Sequence, residues 1–97
     1  MKNSGEKRYK IFYSDAVNQD LPRITTQQQK IIARAIQEKL GTQPEIFGKP
    51  LKHSLHPLRS LRVGDFRVIF ELKKDKVEIL GIMHRSVVYK EIKKRSA

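Results

Sequence analysis

The chain has 97 residues, a length that suits one domain covering residues 1–97 around a modest hydrophobic core. It has no cysteine, which excludes disulfides, thiol chemistry and cysteine zinc sites, and its three widely spaced histidines do not predict a metal site. Lysine and arginine number 21 against ten acidic residues, a net charge of +11 that favours a polyanionic partner.

The positive charge is concentrated in the second half of the chain. Residues 49–97 carry 13 basic and five acidic side chains, so an anion is expected to bind there. No apolar run is long enough to span a membrane, and the N-terminus lacks the apolar core of a secretory signal. We therefore expect a cytoplasmic protein with no membrane contact, no cofactor and no small-molecule substrate.

The first half of the sequence predicts one strand and two helices. "RYKIFYS" is β-branched and aromatic, which predicts a strand. The following segment predicts a short helix that Ser14 or Asp15 could cap, with Pro22 either ending it or beginning the next turn. "TTQQQKIIARAIQEKLG" predicts a long amphipathic helix with a threonine–glutamine capping box and a left-handed Gly41 at its C-terminus.

The second half predicts three antiparallel strands and a terminal helix. "TQPEIFGKPLKHSLHP" reads as an irregular connection, and it contains a basic cluster of Lys49, Lys52 and His53. Gly64-Asp65 and Lys74-Asp75 then predict tight turns between the strands "LRSLRV", "FRVIFELK" and "VEILGIMH". The tail "RSVVYKEIKKRSA" is compatible with a short helix, although its basic end is expected to be solvated and mobile.

These elements predict a small single-domain α+β fold. The N-terminal strand and two helices would pack on one face of an antiparallel sheet, with a short helix at the C-terminus. The helices need an apolar floor for Ile32, Ile36 and Leu40, so the opposite face of the sheet is expected to stay open.

Strand alternation predicts which side chains the open face carries. Leu61, Val63, Phe66, Val68 and Phe70 would point toward the helices, whereas Arg62 and Arg67 would share the opposite face beside the hairpin. These arginines could pair with Glu71 and Glu78 on a solvated surface, but the basic residues nearby outnumber the acids, which favours a phosphate ligand. Arg59 does not fit this division, because alternation places it on the helix-facing side with Leu61. We therefore expect either that Arg59 lies at the edge of the sheet or that the strand register shifts before Leu61.

"LRSLRVGDFRVIFEL" followed by "VEILGIMHRSVVY" closely resembles the core of the RelE/ParE toxin superfamily. The resemblance covers Lys49 to Tyr89 and is looser upstream. It implies a toxin of a type II toxin–antitoxin system with a RelE-like fold. The RelE-like branch cleaves messenger RNA in the ribosomal A site, and the ParE-like branch poisons DNA gyrase.

The resemblance also implies roles for individual residues. The phosphate-stabilising arginine of the family corresponds to Arg67, and the basic residues of the preceding strand correspond to the region of Ser60 and Arg62, with Arg59 as a register-shifted substitute. The strand-end position corresponds to His84 or Arg85, and the C-terminal aromatic to Tyr89. The sequence departs from the family where Leu58 and Ser60 replace a pair of lysines found in some RelE nucleases.

RNA cleavage without a metal needs phosphorane stabilisation and two proton transfers. Arg67 is the first candidate for stabilisation, with Arg62 and Arg85 in support, because arginine binds phosphate oxygens bidentately and stays charged. His84 is the first candidate for proton transfer and His53 the second. His84 could equally form a hydrogen bond with the backbone at the strand end, and His56 is expected to be an ordinary loop residue. Tyr89 could act as a base, orient the hydroxyl or stack on a base, or it could be a core residue.

The predicted site therefore has two parts. The predicted catalytic residues are Arg67, His84, Arg85, Tyr89 and Arg62. The predicted RNA-binding residues are Lys52, His53, Arg59, Lys90, Lys93 and Lys94.

Three functions follow from the resemblance. The first is a toxin that is a ribosome-dependent, metal-independent messenger RNA endonuclease, with the 70S ribosome and messenger RNA as partners. The second is a gyrase inhibitor without catalysis, a function that has no stated need for the pair of His84 and Tyr89. The third is an inactive corepressor. All three predict a cognate acidic antitoxin that covers the basic face.

Overall fold

Five strands form one sheet, and helices cover both of its faces. The structure is a computed structural model that describes residues 8–96, apart from the side chains of His53 and Ser96. The strands are β1 (Lys10–Tyr13), β2 (Lys49–Pro50), β3 (Arg59–Val63), β4 (Phe66–Lys73) and β5 (Lys76–His84). The helices are α1 (Val17–Asp20), α2 (Thr26–Ala35), α3 (Pro44–Phe47) and α4 (Val88–Ser96), and α2 continues as a π-helical stretch, Ile36–Leu40.

The strand order is β1-β5-β4-β3-β2, so the long hairpin β4–β5 lies at the centre of the sheet. The β3–β4 and β4–β5 pairs are antiparallel and confirm the predicted meander. Gly64, with φ of 61°, and Lys74, with φ of 43°, make the two tight turns. β1 is parallel to β5, a pairing that the sequence pattern did not indicate.

The first face of the sheet is covered by α1 and α2, as predicted. Thr25 caps α2 by accepting from the backbone N–H of Gln28 at 3.1 Å, and Ile32, Ile36 and Leu40 are buried. The predicted left-handed conformation of Gly41 is wrong, because the φ of this residue is −72°. A side chain there would instead meet the carbonyl oxygen of Gln37, since its Cβ would lie 2.4 Å away.

The second face was expected to be open, and this expectation is wrong. Val88 and Ile92 of α4 are each 1% exposed and pack on Ile69 and Met83, with Leu55 completing the cluster. The tail is therefore a docked helix rather than a mobile basic end. α4 and the segment 51–58 divide this face into an apolar part beneath the helix and a polar part near the β3–β4 turn.

Residues 42–57 are more regular than the irregular connection that the sequence predicted. α3 is followed by β2, which pairs with Arg59 and Ser60 of β3 and forms one edge of the sheet. A side chain at Gly48 would collide with the Phe70 ring, since its Cβ would lie 2.2 Å from Cζ. No helix in residues 8–96 is both long enough and apolar enough to cross a membrane.

Candidate active site

A cleft of about 500 Å³ opens on the second face, where β4 begins and β5 ends. It is lined by Lys49, Pro50, Leu51, Arg67, His84, Arg85, Ser86 and Tyr89. Edge strand β2 supplies one wall, β4 supplies the floor, and the turn between β5 and α4 supplies the other wall. Four residues of the predicted catalytic set, Arg67, His84, Arg85 and Tyr89, therefore meet in one cleft.

Arg67 lies at the floor of the cleft and is half-buried. It sits directly opposite Arg62 across the β3–β4 hairpin, which confirms that both arginines are on the face away from α2. Its Nη1 donates a hydrogen bond to Oγ of Ser60 at 3.2 Å, and Ser60 is 3% exposed. The guanidinium is thereby held in one direction before any anion arrives.

The sequence left open that Arg62 and Arg67 pair with Glu71 and Glu78, but the described residues contain no such ion pair. Glu78 pairs with Lys73 at 3.0 Å instead. Arg62 donates from Nε to the carbonyl oxygen of Gly64 at 2.9 Å and stays exposed. Arg62 is thus beside the cleft rather than in its lining.

His84 lies at the end of β5, where it caps the 3-10 turn Arg85–Val87. The backbone N–H of Ser86 donates to its Nδ1 at 3.1 Å, and Oγ of Ser86 is 2.8 Å from the same nitrogen. A ring nitrogen that accepts a hydrogen bond from a backbone N–H carries no proton itself, so the neutral ring carries its proton on Nε2. In this tautomer His84 offers the cleft a donor and has no free lone pair at Nε2 to take up a proton.

Tyr89 is 40% exposed, so it is not the core residue that its neighbours Val88 and Ile92 suggested. The ammonium of Lys52 lies 4.7 Å from the centre of its ring. Such a cation–π contact holds the ring at the edge of the cleft and leaves the hydroxyl available. It also brings Lys52, one of the predicted RNA-binding residues, next to the site.

Arg85 forms the wall opposite β2. Its backbone N–H donates to the carbonyl oxygen of Asp65 at 2.9 Å, which fixes the chain beside the β3–β4 turn. Its side chain makes only a loose pair, with 3.9 Å between Nε and Oδ1 of Asp65 and both groups exposed. An exposed pair of this length is weak, so the guanidinium can turn toward an anion.

The other predicted RNA-binding residues are not gathered at the cleft. Arg59 points to the first face, where its Nη2 donates to the carbonyl oxygens of Glu45 at 3.1 Å and Gly48 at 2.9 Å. The exposed side of α4 carries Lys90, Lys93 and Lys94. The side chain of His53 lies outside the described residues.

Two polar residues of the lining, Lys49 and Ser86, were not assigned to the site from the sequence. Lys49 belongs to the basic cluster that the sequence shows, but only the pairing of β2 with β3 brings it opposite the cleft wall. Ser86 matters through its contact with His84, which no sequence pattern signalled. With Lys49, Arg67 and Arg85, the lining has three cations and no carboxylate, a combination suited to a phosphate group.

Among residues 8–96 no group of three histidine or acidic side chains could hold a metal ion. A second cavity, of about 350 Å³, lies between α1 and α2, and its lining combines apolar residues such as Val17 and Ile32 with the polar residues Ser14, Asp15, Asn18 and Gln29. Its lining includes no cation. The cleft at Arg67 is the candidate active site, because it brings four of the predicted catalytic residues together.

Comparison with known proteins shows the family to which the chain is related. Residues 11–89 match the model of the ParE toxin family of type II toxin–antitoxin systems. The chain is also 32% identical over 92 residues to Toxin RelE of Mycobacterium tuberculosis, covering 90% of this chain and 92% of that protein. This chain belongs to the RelE/ParE family of toxins from type II toxin–antitoxin systems.

Solved structures share the fold of this RelE/ParE family member. The toxin–antitoxin complex RelBE2 from M. tuberculosis contains a chain that matches with a TM-score of 0.76 and 23% identity, covering 82% of this chain and 94% of that one. The RelB–RelE complex from Methanococcus jannaschii matches with a TM-score of 0.63 and 19% identity, covering 82% and 96%. At these identities the likeness confirms the predicted RelE-like fold class.

Proposed function

We propose that this protein is a toxin that cleaves messenger RNA on the 70S ribosome without a metal ion. The observation that carries the proposal is the cleft itself, in which Arg67, Arg85, Tyr89 and His84 share one lining that contains no carboxylate. A gathered set of cations next to groups that can exchange or donate protons suits the cleavage of a phosphodiester. The resemblance to RelE nucleases supports the same reaction.

The reaction forms one bond and breaks another at phosphorus. The 2′-oxygen attacks and loses its proton, the bond from phosphorus to the 5′-oxygen breaks, and that oxygen gains a proton. The products are a 2′,3′-cyclic phosphate and a 5′-hydroxyl. Negative charge grows on the phosphorane, and Arg67, already oriented by Ser60, is placed to stabilise it. Arg85 on the wall of the cleft and Arg62 beside it help to stabilise this negative charge.

The proton transfers divide between Tyr89 and His84. Because Nδ1 of His84 accepts from Ser86, its Nε2–H is the group that can reach a phosphate oxygen or the leaving oxygen as a donor. That leaves Tyr89 as the candidate to take the 2′-proton, for which it must act as the phenolate, or to orient the attacking oxygen through its hydroxyl. The ring of Tyr89 can also stack on a base of the message.

An acidic antitoxin is the protein partner that this surface requires. The half of the chain that carries the cleft has a net charge of +8, and such a surface would bind nucleic acids indiscriminately if it stayed uncovered. Two structural relatives, RelBE2 from M. tuberculosis and RelB–RelE from M. jannaschii, were solved as toxin–antitoxin complexes. The proposed partners are the antitoxin, messenger RNA and the 70S ribosome, all in the cytoplasm, with no membrane contact.

The test adds purified protein to a translating extract and maps message ends by primer extension. Wild type should cut within the A-site codon of ribosome-bound messages and leave naked RNA intact. Arg67→Ala should lower the cleavage rate by about 100-fold or more. Arg34→Ala is the matched control, because the Arg34 side chain is 80% exposed on α2. Intact messages at protein concentrations that stop translation in the extract would overturn the proposal.

Inhibition of DNA gyrase is a second candidate, because the family model that matches residues 11–89 is that of the ParE toxins. A gyrase inhibitor would need the basic surface but not the hydroxyl of Tyr89. A supercoiling assay with purified gyrase separates the two candidates. Inhibition that survives Tyr89→Phe, with messages left intact, would favour this second function.

A further inference from the structure

The edge of β5 is completed by two side chains instead of a strand. β1 pairs with β5 as far as Ile79, whose carbonyl oxygen accepts from the backbone N–H of Ser14 at 2.8 Å. Beyond that point β1 has ended, and within residues 8–96 no strand lies next to the outward carbonyl of Leu80 and the N–H of Ile82. Buried backbone groups of this kind need another partner.

Asp20 and Arg95 supply those partners. Oδ2 of Asp20 accepts from the backbone N–H of Ile82 at 3.0 Å, and Nη1 of Arg95 donates to the carbonyl oxygen of Leu80 at 3.1 Å. The two side chains also bind each other bidentately, at 3.0 Å from Nη1 to Oδ2 and 2.6 Å from Nη2 to Oδ1. One ion pair thus satisfies both open backbone groups of the strand edge.

The pair is withdrawn from solvent, unlike the other ion pairs of the described chain. The side chains of Arg95 and Asp20 are 19% and 6% exposed. Hydrogen bonding to Asp20 raises the pKa of Arg95 above its usual value, so the guanidinium stays charged. Gly81 makes the space, because a Cβ there would lie 2.6 Å from Nη1 of Arg95.

Arg95 belongs to the face of α4 that docks on the sheet. Val88, Ile92 and Arg95 follow one another at spacings of four and three residues, which places them on one side of the helix. A nine-residue helix is unstable in water by itself and depends on tertiary contacts. Val88 and Ile92 supply apolar contacts, and Arg95 supplies the polar contact that fixes the last turn.

We propose that Asp20 and Arg95 are positioning residues that hold α4 on the sheet and, through it, keep Tyr89 at the cleft. Asp20 ends α1 on the first face, while Arg95 ends α4 on the second, so the pair joins the two layers around the strand edge. The effect on cleavage rests on the proposed nuclease function. The effect on α4 does not.

The first measurement is amide hydrogen exchange of the full-length chain. Arg95→Met should speed exchange throughout α4, including the amide of Tyr89, while amides at the centre of β4 and β5 keep wild-type rates. Arg34→Met is the matched control and should leave α4 unchanged. Wild-type exchange in α4 of Arg95→Met would overturn the proposal, whether or not the protein cleaves RNA.

The second measurement is a double-variant cycle on single-turnover cleavage with saturating ribosomes. Arg95→Met alone should slow cleavage by about 10- to 100-fold, because displacement of a reacting group by an ångström has effects of that size. In the Tyr89→Phe background the same change should add little further loss. An equal loss in both backgrounds would show that Arg95 does not act through Tyr89.

Two further variants keep the test valid if Arg95→Met does not fold. Asp20→Asn keeps an acceptor for Ile82 and removes the charge, and it should reproduce the loosening of α4. Arg95→Lys keeps the charge without the bidentate contact, and it should fall between wild type and Arg95→Met in both measurements. Wild-type exchange in Asp20→Asn would also overturn the proposal. Absence of cleavage by the wild type would instead overturn the proposed function, and hydrogen exchange would still decide the role of the pair.

Discussion

Arg67 and Ser60 are joined on the second face of the sheet, with 3.2 Å between Nη1 and Oγ. Ser60 is 3% exposed and lies on the strand next to Arg67. A buried hydroxyl next to a cleft is thus used to aim a guanidinium rather than to contact solvent. Preorganisation of this kind lowers the reorganisation that the site needs when charge develops on phosphate.

Ser60→Ala is expected to reduce cleavage more than it reduces stability. Loss of one hydrogen bond should lower the free energy of unfolding by about 1 kcal/mol, while the freed Arg67 side chain should slow cleavage by about tenfold. Ser54→Ala, at an exposed residue, is the control. Urea unfolding and single-turnover cleavage measure the two effects. Wild-type cleavage by a folded Ser60→Ala protein would show that Arg67 does not need this contact.

Tyr89→Phe tests the hydroxyl, and Tyr89→Ala tests the ring. If Tyr89 takes up the 2′-proton as its phenolate, Tyr89→Phe should slow single-turnover cleavage by about 100-fold or more with little change in ribosome binding. Tyr89→Ala should also weaken binding, because the ring and its contact with Lys52 are lost. Cleavage by Tyr89→Phe at the wild-type rate would limit Tyr89 to stacking.

Ile92→Ala tests the second hydrophobic cluster. Ile92 is 1% exposed, so its truncation should lower the free energy of unfolding by about 2–5 kcal/mol. Ile31→Ala is the matched control, because Ile31 is 54% exposed on α2 and its truncation should change stability by less than about 0.5 kcal/mol. Denaturant titration of both proteins gives the comparison. Equal midpoints would mean that α4 does not stabilise the sheet in solution.

Strand alternation was a reliable guide to the direction of side chains. It placed Leu61 and Val68 under the helices and Arg62 and Arg67 on the opposite face, and the register confirms both assignments. It failed to predict what covers that opposite face. Ile69 is fully buried there because α4 packs over it, and the period of a strand carries no information about a helix that arrives later in the chain.

Contacts between distant parts of the chain account for the rest of what the sequence did not reveal. Asp20 and Arg95 are 75 residues apart, and neither belongs to a recognisable motif. The capping of the turn by His84 depends on the backbone N–H of Ser86, which has no sequence signature. The residue types of the cleft could thus be predicted from the sequence, but the contacts that orient them could not.

Arg59 is the residue for which alternation and the RNA-binding prediction disagree. Its guanidinium binds two backbone carbonyls, of Glu45 and Gly48, on the first face. Arg59→Met should therefore lower the free energy of unfolding by about 1–3 kcal/mol and leave the salt dependence of RNA binding unchanged. Arg34→Met is the control for both measurements. A shallower salt dependence for Arg59→Met would restore Arg59 to the RNA-binding surface.

The most direct test of the proposed cleft chemistry uses ribosomes programmed with a message that carries one 2′-deoxynucleotide at the cleavage position. The wild-type protein should cut the all-ribose message and leave a 2′,3′-cyclic phosphate, and it should not cut the deoxy-substituted message. Arg67→Ala should cut neither at a comparable rate. Equal cleavage of both messages, or an intact all-ribose message on fully occupied ribosomes, would contradict the proposed chemistry.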